Sequence, residues 1–246
     1  LHIKAGTGSR LFTNTVGITM LNIAETSLPE TSRDIGGSID GLHVDGNATA
    51  AIGISITSIN TTNWAFYNLY VEKCTNIGTL LDQNHSFQFY ACRWSLCGVS
   101  GAELATDAGV SLIQCNAVHF YGCATEQHYG SVLLVSGGYT NGWHGGVIEG
   151  CGHHGVHFSS LAQHFVLSDI DFEANNTTTT ALRYDVYISA ATNAYIECRN
   201  LKFVGTNTDN HIYNGGVQNF IRNCRGLTQP TKTVLWTSAA TGGLLE

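Results

Sequence analysis

Charge is scarce in this chain of 246 residues. Asp, Glu, Lys and Arg together make up 12%, about half the share of an ordinary soluble domain. Lys and Arg number only 11, the net charge is −7, and no basic patch is visible, which argues against nucleic acid as a partner. No run reaches the ~18 apolar residues of a membrane-spanning helix, so no membrane partner is expected. Proline is nearly missing, with only Pro29 and Pro230. No stretch of useful length repeats its apolar residues at a 3.6-residue period, so helix content is expected to be very low.

What fills the space is Gly, Asn, Thr and Ser, residues that suit turns, set between short alternating apolar runs. One short phrase returns eight times: apolar, any, apolar, any, small or flexible, then Asn, Cys or Thr. It spans Leu42–Asn47, Leu69–Cys74, Phe87–Cys92, Val118–Cys123, Gly146–Cys151, Ile170–Asn175, Leu201–Thr206 and Asn219–Cys224. The mean spacing is about 25 residues, inside the range of solenoids and arrays. Period-two alternation within the phrase marks a strand with one buried face. Val44, Val71, Phe89, Phe120, Ile148, Phe172, Phe203 and Ile221 are expected to form one inward column. A further strand precedes most phrases (Trp64–Phe66, Ser111–Ile113, Phe165–Leu167, Tyr195–Ile196). Another follows most of them (Ile77–Leu81, Val132–Leu134, Gly155–Phe158, Val186–Ile188, Ile212–Tyr213).

Three strands per coil is the layout of an all-β, right-handed parallel β-helix. Residues 1–38 read as an irregular first coil, 39–224 as the β-helix and 225–246 as a cap or tail. The alternative is a β-sandwich or antiparallel barrel, and a sandwich rarely repeats the residue after the strand eight times.

The eight cysteines follow the phrase rather than a disulfide framework. Cys74, Cys92, Cys123, Cys151 and Cys224 share its last position and are expected as one buried column of thiols. Cys115 and Cys198 are expected in a second register, each five residues before a phenylalanine (Phe120, Phe203). Free buried thiols suit folding in a reducing cytoplasm. No CxxC or HxxC pair occurs, so no metal is expected. No cofactor is expected either, because the glycine-rich Gly6–Arg10 lacks the lysine and helix of a phosphate loop.

The run Ile35–Asn47 resembles the opening coil of pectate-lyase-like β-helices. Ser168–Asn175 followed by Tyr184–Ile188 resembles coils of phage tailspike and capsular depolymerase proteins. The resemblance covers residues 35–224. It implies the fold, and it implies assembly as a trimer about the long axis and an extracellular or virion-associated location. It carries no catalytic motif, because that family holds lyases, hydrolases, epimerases and non-catalytic shafts alike.

Candidate chemistry therefore comes from outward columns. One column is expected to read Asp45, Glu72, Tyr90, Tyr121, Glu149, Glu173, Val204, Arg222. The column two residues earlier reads His43, Tyr70, Gln88, His119, Val147, Asp171, Lys202, Phe220. Rungs ~4.8 Å apart would bring Glu149, Asp171 and Glu173 together as candidate acid and base for glycoside cleavage, which needs two carboxyls a few ångströms apart. Tyr90, His119, Tyr121, Trp143 and His144 are the candidate substrate-binding set, with His119 or His144 as base in an eliminative variant. The plainer reading makes the carboxylates a solvated face and the histidines of 153–157 exposed loop residues. If those residues lie on one strand, His153 and His157 are about 13 Å apart, too far to share a metal. Two functions follow: an enzyme degrading a surface polysaccharide by hydrolysis or elimination, or a non-catalytic receptor-binding or structural shaft.

Overall fold

The structure is a computed structural model and describes residues 2–6, 9–24, 34–57, 61–99, 106–175, 184–189, 192–205, 210–226, 234–236 and 244–245. Every strand in it pairs in parallel with the strand one coil before, one coil after, or both, and the chain forms a right-handed parallel β-helix. The second coil contributes Asp34–Asp40, His43–Asp45 and Ile52–Thr57, and the third Thr61–Tyr67, Tyr70–Glu72 and Ile77–Asp82. The same order continues upward, giving three faces. The longest strand, Ala108–Glu126, runs through the corners of the stack and serves all three faces in turn.

The interior is three columns. On the first face Ile39, Phe66, Phe89, Phe120, Trp143, Leu167, Cys198 and Ile221 lie in register. On the second are Val44, Val71, Trp94, Thr125, Ile148, Phe172 and Phe203. On the third are Ile54, Thr79, Val110, Leu133, Val156, Val186 and Ile212. The first column is an aromatic stack: ring centroids lie 4.6 Å apart for Phe66–Phe89, 4.9 Å for Phe89–Phe120 and 4.7 Å for Phe120–Trp143. Offset aromatic pairs at this spacing add to the burial of their area.

The corners explain the phrase. Between first and second faces the chain turns through one residue in the left-handed region: Gly41, Asn68, Ala91, Gly122, Gly145, Asp169, Asn200 and Asn223, with φ from 50° to 73°. Between second and third faces it turns through Lys73, Leu96, Gln127, Gly150, Ala174 and Gly205, with φ from 47° to 66°. In six of the eight phrases the small or flexible position is this corner, and the residue after it points inward. Both corners use the same device, so the phrase marks two different corners. Phe87–Cys92, Val118–Cys123 and Asn219–Cys224 end at the first; Leu69–Cys74, Gly146–Cys151 and Ile170–Asn175 end at the second.

Three expectations are corrected by this. The eight predicted inward residues are all buried, but Phe89, Phe120 and Ile221 belong to the first column while Val44, Val71, Ile148, Phe172 and Phe203 belong to the second. The phrase cysteines divide likewise, with Cys92, Cys123 and Cys224 at one corner and Cys74 and Cys151 at the other. Cys198 sits mid-strand opposite Leu167 and Ile221, whereas Cys115 lies against Gly138, so they share no register. All eight are free thiols, seven of them buried.

The strands His2–Lys4, Arg10–Phe12 and Thr19–Ala24 belong to a first coil of the stack, in register with the next. Arg225–Gly226, Val234–Trp236 and Leu244–Leu245 continue the stack beyond residue 224.

Candidate functional site

Because the phrase alternates between corners, the outward columns are also rearranged. On the first face the outward column reads Asp40, Tyr67, Tyr90, Tyr121, His144, Ser168, Arg199. On the second it reads Asp45, Glu72, Ser95, Glu126, Glu149, Glu173, Val204. The single expected column mixed the two. Tyr90 and Tyr121 therefore stand on a different face from Glu149 and Glu173, around the corner made by Gly122, Gly145 and Asp169.

The first-face column is an aromatic ladder. Ring centroids are 5.1 Å apart for Tyr67–Tyr90, 5.1 Å for Tyr90–Tyr121 and 5.3 Å for Tyr121–His144, all stacked. His119 stacks on both Tyr121 and His144. Stacked rings occupy one another's faces, so the ladder presents ring edges and phenol hydroxyls to solvent. Gly142 makes room for the two imidazoles, since a Cβ there would lie 2.6 Å from His144 Nε2. His144 is oriented by Ser168, whose Oγ is 2.9 Å from Nδ1. Burial and the neighbouring His144 hold the His119 imidazole below the usual histidine range, and burial followed by the Arg199 charge does the same for His144. Both are neutral near pH 7, the form a general base requires.

Trp143 does not belong to this set. Its neighbour His144 is outward, but Trp143 is fully buried, stacked on Phe120, with its indole N–H donated to the Gly145 carbonyl at 3.1 Å. A strand alternates, so His144 and Trp143 must face opposite ways.

Three glutamates occupy consecutive rungs of the second face: Glu126 opposite Glu149, and Glu149 opposite Glu173. Asp171 is two residues before Glu173 on the same strand, opposite Val147, and is held by Lys202 Nζ at 3.0 Å. Glu126 is paired with Arg93. Among the described residues Glu149 and Glu173 have no ion-pair partner. Sequence reading missed Glu126; its signal was the strand Arg93–Ser95, whose place in the second face pushes Tyr90 and Tyr121 onto the first. Next to Asp171 lies a cavity of about 710 Å³ lined by Asp169, Asp171, Asn200, Lys202, Asn223 and Arg225, among others. Asn68, Asp169 and Asn200 are corner residues, and they bond side chain to side chain, Asn68 to Asp40 at 3.1 Å and Asn200 to Asp169 at 2.9 Å.

Among the described residues, two clusters hold metal-ligand atoms within 4.8 Å of one another: His153–His154–His157 and His43–Asp45–Glu72. The second is already balanced, Asp45 pairing with Arg10 and Glu72 with Lys73 at 3.1 Å. The first overturns the expected 13 Å separation of His153 and His157. Residues 151–155 are not a strand; they bend back, and the strand Val156–Gln163 begins only afterwards. Burial pushes the His157 imidazole down to about 4.

No protein-family model matches the chain, and no curated protein matches it. Among solved structures, the ORF18 protein of Geobacillus virus E2 superposes with a TM-score of 0.52 at 16% identity, over 98% of this chain and 51% of that one. The catalytic unit of a thermostable GH87 alpha-1,3-glucanase from Streptomyces thermodiastaticus gives 0.42 at 10% identity, over 85% and 48%. Tailspike protein 3 of bacteriophage CBA120 gives 0.36 at 11% identity, over 98% and 46%. The chain spans about half the length of these solved chains. In-register coils with one-residue corners make it a right-handed parallel β-helix.

Proposed function

We propose that this chain is the β-helical shaft of a virion-associated protein that binds a cell-surface polysaccharide and cleaves it. The observation that carries the reading is the pairing of two outward columns around one corner. One is a ladder of phenol hydroxyls and imidazoles at about 5 Å steps, suited to hydrogen-bonding a chain of sugar hydroxyls. The other is a column of glutamates one rung apart. In-register rungs stand ~4.8 Å apart and residues i and i+2 ~6.6 Å apart. Retaining glycosidases place their carboxyls ~5–5.5 Å apart and inverting ones ~6.5–9.5 Å. Glu149 with Glu173 matches the first spacing and Asp171 with Glu173 the second. In this reading Tyr90, Tyr121, His119 and His144 bind the polymer, and Glu149, Asp171 and Glu173 supply acid and base. Elimination from a uronate, with His119 or His144 as base, is the variant. A homotrimer about the long axis is part of the proposal.

The test is reducing-end release from purified bacterial capsular polysaccharides. Glu149→Gln, Asp171→Asn and Glu173→Gln are compared one at a time with the parent. Loss of an essential acid or base lowers the rate by roughly 10²–10⁴-fold. An unsaturated uronate in the product assigns elimination instead. The second reading, a non-cleaving shaft, is favoured by the ion pairs that already occupy Glu126 and Asp171. It predicts binding that weakens about tenfold in Tyr90→Ala and Tyr121→Ala with no cleavage by any variant or the parent. Unchanged cleavage in all three carboxylate variants overturns the catalytic assignment.

A further inference from the structure

His157 points away from the core, in the outward column Leu134, His157, Tyr187, Tyr213 of the third face. Leu134, Tyr187 and Tyr213 are half-buried at that position. His157 is only 8% exposed, and among the described residues neither of its ring nitrogens has a hydrogen-bond partner. It is covered by the preceding bend: ring centroids are 6.2 Å from His153 and 5.2 Å from His154, and Tyr187 closes the far side at 5.1 Å. A buried imidazole with two unsatisfied nitrogens is costly unless something fills the site.

We propose that His153, His154 and His157 form a binding site for a divalent transition-metal ion, with His153 and His157 as the primary donors. Three imidazoles suit zinc, copper or nickel rather than calcium or magnesium, which take oxygen ligands. Their ligand atoms already lie within 4.8 Å of one another. Tetrahedral coordination at 2.0–2.1 Å needs nitrogens about 3.4 Å apart, a contraction that rotation of the half-exposed His153 supplies. Ser131 Oγ lies 3.4 Å from His153 Nδ1 and can accept a hydrogen bond from it, which orients the ring. His154 Nδ1 accepts the Tyr184 backbone N–H at 3.1 Å, so a third donor from Nδ1 would come only by giving up that bond. Half exposure of His153 provides the entry path. The site lies beyond the Glu149 end of the second face and does not depend on the polysaccharide reading.

The experiment titrates the EDTA-stripped, dialysed protein with Zn²⁺ and Ni²⁺ by calorimetry, and with Co²⁺ by visible absorption. One ion per chain is expected, with tetrahedral cobalt bands and a raised melting temperature. His153→Gln and His157→Gln each weaken binding by about tenfold or more, while His164→Gln, on a distant corner, leaves it unchanged. Circular dichroism confirms that each variant is folded, and His153→Gln, at a half-exposed bend, keeps the test meaningful if His157→Gln does not fold. Absence of saturable binding, or binding undiminished in the His153→Gln/His157→Gln double variant, overturns the proposal.

Discussion

His157 shows how one side chain sets a pH response. Burial among His153, His154 and Tyr187 holds its imidazole at about 4, against ~6.5 in an unfolded chain. The folded state therefore prefers the neutral ring, and unfolding takes up a proton between those two values. Its contribution is complete above pH ~6.5 and is lost as pH falls toward 4, an effect on the order of 3 kcal/mol. In EDTA, the urea midpoint is expected to drop over that window, and His157→Phe to flatten the drop. A slope unchanged in the variant assigns the response elsewhere. Thiol reactivity is another residue-scale property. Cys224 is half-buried and the other seven are buried, so one slow-reacting thiol is expected in the native protein and eight in denaturant, read with a chromogenic disulfide reagent.

At the scale of the element, the corner decides what each position tolerates. Gly138 and Gly146 have φ of 100° and 97°, and a Cβ at either would lie 1.9 Å from a carbonyl oxygen of the coil before, Cys115 or Cys123. Gly122 has φ of 59°, and a Cβ there would meet nothing within 4 Å. Gly146→Ala is expected to cost more than ~3 kcal/mol, or to prevent folding, because strain and backbone clash add. Gly122→Asn is expected to be neutral within ~0.5 kcal/mol, since Asn takes the left-handed conformation readily and already fills this corner at Asn68, Asn200 and Asn223. Thermal melts of the two variants check the contrast. The same corner logic places Phe120 at the centre of the aromatic column. Phe120→Ala is expected to cost about 3–5 kcal/mol, because the rings above and below cannot collapse into the gap while the strands stay in register.

The whole molecule is a one-dimensional stack in which each coil pairs only with its neighbours. Sites in such a fold are built from columns, and coils of unequal length keep those columns in register by taking up extra residues at corners and bulges. The sequence made the columns visible but not their assignment. Glu149 opposite Glu173 was legible because two successive phrases end at the same corner, one full coil apart. Tyr90 and Tyr121 were misplaced because their phrases end at the other corner, and a three-residue strand such as Tyr70–Glu72 or Arg93–Ser95 carries too little pattern to reveal which. Trp143 was misjudged for a similar reason: the glycines around it carry no alternation to show that it occupies the inward position of a strand. Sedimentation analysis tests the remaining expectation at this scale, with three times the mass of 26.4 kDa expected for the proposed trimer and the monomer mass counting against it.

Composition and repetition alone determined that this chain is an all-β coil with an apolar interior. Period-two alternation fixes which side chains are buried, and a small or flexible residue every few positions fixes where the chain turns. Tertiary structure decided which corner each turn makes, and hence which outward residues share a face. It also decided that residues 151–155 fold back over His157 rather than extend as a strand. Both depend on contacts between coils 23 to 31 residues apart, as between Phe66 and Phe89 or Phe89 and Phe120, and no local pattern specifies such contacts.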